Sequence, residues 1–86
     1  MTTLENVRNA KKLWDKACED KWAIWDEMIA TAEAEGRTYK GEYGSIEHRF
    51  TTEENARLVK ANDEVAKAYH EWNTLKNKRA KEMRAR

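Results

Sequence analysis

Beyond ordinary carboxylates and amines, three side chains are equipped for nucleophilic or acid–base chemistry: Cys18, His48 and His70. A thiol–imidazole pair works only when sulfur and ring nitrogen lie within hydrogen-bond reach. Nothing in the spacing of these three residues predicts that contact. A lone cysteine on an apolar helical stripe reads as an inert buried thiol. It also excludes an internal disulfide and any multi-cysteine zinc site. The carboxylate neighbours Glu19 with Asp20, and Asp26 with Glu27, are turned about 100° apart on a helix and read as a solvated face. There is no HExxH, no phosphate-cradling glycine loop and no nucleophile elbow, and Gly36, Gly41 and Gly44 lack dinucleotide-binding spacing. The expectation is a non-enzyme with no catalytic residue, cofactor or metal ligand.

Binding residues are easier to find. The segment RTYKGEYGSIEHRF, from Arg37 to Phe50, is longer than the roughly 2–8 residues that usually join helices in a bundle. It carries Tyr39, Tyr43, Ile46 and Phe50, too many large apolar side chains for a flexible tether. Two readings stand: these side chains plug the open end of a helical core, or the segment meets a partner. Trp14, Trp22, Trp25 and Trp72 form a second set, since tryptophan is frequent in cores and at binding hot spots alike. Trp14, Trp25 and Trp72 lie near the centre of their stripes and are expected in the core. Trp22 lies at the edge and is the one expected to meet another chain.

A third set is the basic C-terminal stretch, with six basic residues and one acid from Lys76 to Arg86. Positive charge there complements a helix macrodipole. The competing reading is phosphate contact through Lys76, Lys78, Arg79, Lys81, Arg84 and Arg86. No base-reading motif accompanies them, and a net charge of only +1 disfavours nucleic acid.

The elements that must position these residues follow from the chain breakers. Proline is absent, and all three glycines fall between positions 36 and 44, leaving both flanks free to be continuous helices. The first helix is expected over about residues 3–35. It opens with Thr2 and Glu5 at capping-box spacing and stops at Gly36. Leu4, Val7, Trp14, Cys18, Trp25, Met28 and Ala32 recur at helical steps. Ala10, Leu13, Ala17 and Ile24 on one side, with Trp22 and Ile29 on the other, widen the stripe beyond what one partner helix covers. The second helix is expected over about 52–84, with Thr51 and Glu54 as its capping box and Leu58, Val65 and Trp72 as its spine. Ala61, Ala68, Tyr69, Leu75 and Met83 fill the adjoining positions. Lys21 falls inside the first stripe and Asn62 beside the second, where a polar residue either fixes register or snorkels to solvent.

One domain, residues 1–86, is therefore expected: an all-α, coiled-coil-like antiparallel hairpin with a loop over about 36–50, able to dimerise into a four-helix bundle. Near-zero net charge and seven tryptophans and tyrosines argue against disorder. No apolar run is long enough to cross a bilayer. The N-terminal MTTLENVRNAKKLW has no signal-peptide h-region, so an intracellular, cytoplasmic protein is expected. The functional expectation is a small interaction protein, an inhibitor or adaptor that occludes a macromolecular partner through Trp22, Tyr39, Lys40, Tyr43 and Arg49. A phage-encoded inhibitor of a host or defence enzyme fits that description by analogy. A nucleic-acid-binding dimer and a structural subunit of a larger assembly are the alternatives.

Overall fold

The computed structural model describes residues 1–85. Helix α1 spans Leu4–Ala34 and helix α2 spans Thr52–Arg84. Between them lie strand β1 (Thr38–Lys40), a single 3₁₀ turn (Glu42–Gly44) and strand β2 (Ile46–His48). The helices run antiparallel, with Thr2 beside Glu82, Trp14 beside Tyr69 and Trp72, and Glu27 beside Arg57. The molecule is a helical hairpin 60 × 25 × 17 Å, with the small β-hairpin at one end and the start of α1 beside the end of α2 at the other. Lys76 to Arg84 falls in the last turns of α2, and Arg86 lies outside the described residues.

Each helix end is satisfied by side chains the sequence places there. At α2, the Thr51 hydroxyl accepts from the Glu54 amide while the Glu54 carboxylate accepts from the Thr51 amide, the expected reciprocal cap. At α1 the cap is displaced by one residue from the Thr2–Glu5 pairing expected. Thr3 is the N-cap and Asn6 its partner, because Thr2 is buried and spent elsewhere. Its amide and hydroxyl both donate to the Glu82 carboxylate of α2, at 2.9 and 3.3 Å. The stop at Gly36 is a Schellman closure. Arg37 N–H donates to the Ala32 carbonyl and Gly36 N–H to that of Glu33, with Gly36 at φ +71°, a conformation open to glycine at little cost.

Packing is thin. Ala10, Met28, Ala32 and Ala61 are the buried apolar residues among those described, and Met28 is the one large side chain fully enclosed. Half-buried residues make the rest of the contact. Trp14 stacks on Trp72 with centroids 5.0 Å apart and meets Tyr69 edge-on at 4.9 Å. Trp25 meets Phe50 edge-on at 5.4 Å near the β-hairpin. Aromatic pairs of this geometry add about 0.5–1.5 kcal/mol beyond the area they bury. The central tryptophans are thus half-buried rather than fully enclosed, and Cys18, expected to be buried, is half-buried as well. A two-helix core closes on one side only and cannot surround side chains of this size. Lys21 snorkels, its ammonium lying 5.3 Å from the centroid of the Trp22 ring. Asn62 is exposed, so it does not act as a buried register key.

The all-α hairpin expectation holds for the two helices that make up most of the chain, and the connection adds a detail it did not include. The connection contains a two-stranded antiparallel sheet, with Thr38 opposite His48, Tyr39 opposite Glu47 and Lys40 opposite Ile46. Alternation is hard to read in strands of three residues, whereas helical periodicity accumulates over thirty. The sheet also corrects the plug reading. Phe50 alone of the four large side chains packs onto the helical core, while Tyr39, Tyr43 and Ile46 are exposed. Among the described residues, no helix is long and apolar enough to cross a membrane.

Candidate functional site

A short β-hairpin does not hold its shape in water unaided, so what fixes this one matters. At its base, Arg37 is gripped from three sides. Its guanidinium donates to the Glu54 carboxylate at 2.7 Å, to the Glu35 carboxylate at 2.8 Å and to the Arg49 carbonyl at 2.6 Å. That one side chain ties the end of α1, the exit of β2 and the start of α2 together. Arg49 N–H returns a bond to the Arg37 carbonyl at 2.8 Å. On the opposite face, His48 meets the Glu33 carboxylate at 3.2 Å and lies parallel to the Phe50 ring, 6.3 Å away. Beside Arg37 and the Thr51 amide, the Glu54 carboxyl is pushed down to about 2.

Above the clamp the hairpin turns tightly. Gly41 N–H donates to the Ser45 carbonyl at 2.7 Å, and the Ser45 hydroxyl donates to that of Glu42. Tyr43 and Gly44 both take positive φ, +65° and +79°. Glycine does so freely; for tyrosine the left-handed region costs on the order of 1–2 kcal/mol. Tyr43 is also fully exposed, so no packing within the chain offsets that strain.

On one face of the sheet the Arg49 guanidinium lies 4.8 Å from the centroid of the Tyr39 ring. The Glu47 carboxylate opposite Tyr39 holds its phenol above the usual tyrosine pKa. Tyr39 is thus flanked by the Glu47 carboxylate at its hydroxyl and by the Arg49 guanidinium over its ring. The other face presents Ile46, 73% exposed. Tyrosine, serine, glycine and arginine on an ordered turn are the composition of adaptable protein-binding loops. Tyr and Arg supply contact area and charge, and the small residues supply shape.

The structure brings Tyr39, Lys40, Tyr43 and Arg49 onto this one projection. Trp22 does not join them. It is 57% exposed but sits on α1 about 18 Å along the helix from its tip end at 1.5 Å per residue. Ile46 is among the large apolar side chains the sequence marks in this segment, whereas the Arg37–Glu54 clamp is not legible there. A capping-box glutamate looks the same whether or not an arginine seventeen positions earlier reaches it. The basic C-terminal residues are also dispersed. At about 100° per residue, Lys76, Lys78, Arg79, Lys81 and Arg84 are spread around most of the helix circumference. Lys76 lies 4.4 Å from the Trp72 ring, and Arg79 turns toward Thr2 and Leu4. Among the described residues no single cationic stripe results.

Cys18 is placed midway along α1, His70 is exposed on α2, and His48 sits in the β-hairpin against Glu33. No protein-family model, no curated protein and no solved structure matches this chain.

Proposed function

We propose that this protein is a non-enzymatic interaction module, an inhibitor or adaptor that occludes a macromolecular partner with the β-hairpin at the end of its helical stalk. The observation that carries the reading is Tyr43, a bulky aromatic held in a strained left-handed conformation and directed entirely to solvent. Strain of this kind survives where the surroundings over-determine it, and it concentrates at sites of recognition. The Arg37 clamp supplies the over-determination. A platform fixed in advance loses little entropy on docking, so a small tip can bind well. An intracellular inhibitor of a host or defence enzyme, carried by a phage, is the finer form of this proposal and rests on analogy with the architecture.

The test is quantitative capture by the immobilised protein, compared with Tyr43→Gly, Arg49→Glu and a truncation after Leu75. A partner retained by the wild type and the truncation, and lost by both tip variants while they stay folded, supports the reading. Capture that survives both tip variants but disappears on truncation, and falls steeply with salt, would overturn it in favour of nucleic-acid binding by the tail.

A further inference from the structure

On one side of the hairpin the two helices leave an open groove of about 420 Å³, floored by Leu13, Ala17, Ile24 and Ala61 and continued by Ala68. Leu13 is 57% exposed. The groove lies away from the tip and does not depend on the proposal above. Its rims carry Lys16 and Asp20 on α1, and Lys60, Glu64, Lys67 and Glu71 on α2. The antiparallel register sets Lys16 level with Lys67 and Asp20 level with Glu64. Like charges therefore face one another across the groove and do not bridge it.

The geometry points to a second copy of this chain as the occupant of the groove, packed face to face about a two-fold axis perpendicular to the helices. The charge order on α2 reads Lys60, Glu64, Lys67, Glu71 from the tip end. An axis crossing between Glu64 and Lys67 lays α2 antiparallel on its counterpart. Glu64 then meets the partner's Lys67, and Glu71 meets the partner's Lys60. The same axis sets Leu13 of α1 over the partner's Ile24 and brings Lys16 within reach of the partner's Asp20. An axis along the helices instead lays α1 on the partner's α2 at the same level. That arrangement opposes Lys16 to the partner's Lys67 and Asp20 to the partner's Glu64, like charge on like. The rims thus select one of the two face-to-face packings, and opposed like charges at an interface are a strong discriminator.

The exposed area agrees. The chain shows 6709 Å² of accessible surface, where a compact monomer of this mass shows about 5,300 Å². The surplus, roughly 1,400 Å², exceeds the ~800 Å² that one partner contributes to a standard interface. Alanines at positions 17, 61 and 68 keep the floor shallow enough for helices of a second copy to seat at bundle spacing, about 8–10 Å. The resulting four-helix bundle holds a β-hairpin at each end.

The test is solution mass by light scattering over a concentration series, with helicity monitored throughout. The wild type is expected to be a dimer. Glu64→Lys alone and Lys67→Glu alone each place like charges across the axis and raise the dissociation constant at least about tenfold. Both positions are exposed, so neither change disturbs the hairpin itself. Mixing the two single variants restores complementarity between chains and yields a heterodimer; the double variant E64K/K67E restores the homodimer. A wild-type monomer throughout the series would overturn the proposal. So would a dimer indifferent to both single variants, which places the contact on another face such as that of Trp22.

Discussion

Tyr43 and Glu54 divide the work of the tip between display and anchorage, and each makes a prediction at its own scale. Replacing Tyr43 by glycine removes the left-handed strain and no buried contact. Stability should hold or rise by up to about 1 kcal/mol, read by urea unfolding. A loss of more than that would mean Tyr43 supports the fold instead of being tolerated by it. Glu54 titrates well below its ordinary value because Arg37, and then the Thr51 amide, favour its charged form. A carboxyl depressed in the folded state contributes stability that is complete above its unfolded value of 4.5 and is lost as pH falls toward about 2. Glu27, lowered by Arg57, acts in the same direction. Acid unfolding of the wild type should therefore steepen below pH 4.5. In Glu54→Gln that dependence should flatten, on a lower baseline at neutral pH. An unchanged acid profile in the variant would show that the clamp is not formed.

Among the elements, the helices were legible in advance and the strands were not, for reasons that can be traced to particular residues. Proline-free flanks, glycines gathered at 36–44 and the Thr51–Glu54 cap located both helices closely. The Thr2–Glu5 cap misled because local spacing carries no record of Glu82, which draws Thr2 away from the role. The β-hairpin was hidden because three-residue strands bear too few alternating positions to register a period. Tyr39, Lys40, Tyr43 and Arg49 could be picked out by residue type, but their convergence on one projection depends on the Arg37–Glu54 contact. The excess width of the α1 stripe was visible too, but on both sides alike, Leu13–Ile24 and Trp22–Ile29; the structure leaves the first of these as an open groove. At this scale the tryptophans should behave unequally. Trp14→Ala removes the stack on Trp72 and the edge contact with Tyr69 and should cost about 2–4 kcal/mol in thermal or urea unfolding. Trp22→Ala should cost less than about 1 kcal/mol, as exposed positions do. Equal costs would mean that the two helix faces are packed alike.

For the molecule as a whole, the thin core and the clamped tip describe a stalk with a platform. Few large side chains are enclosed, so the stalk is stiffened by length, end-capping and cross-ties at both ends: Thr2–Glu82 at the termini, Glu27–Arg57 and Arg37–Glu54 toward the tip. The central claim is that the β-hairpin is ordered before any partner arrives and that Arg37 is what orders it. Amide hydrogen exchange tests this directly, comparing the wild type with Arg37→Ala. The Gly41 and Arg49 amides, bonded to Ser45 and Arg37 carbonyls, should be protected in the wild type. In the variant they should exchange freely while amides in the middle of α1 and α2 remain slow. Free exchange at Gly41 and Arg49 in the wild type would contradict the account, because the tip would then be a flexible loop with no preformed surface to offer.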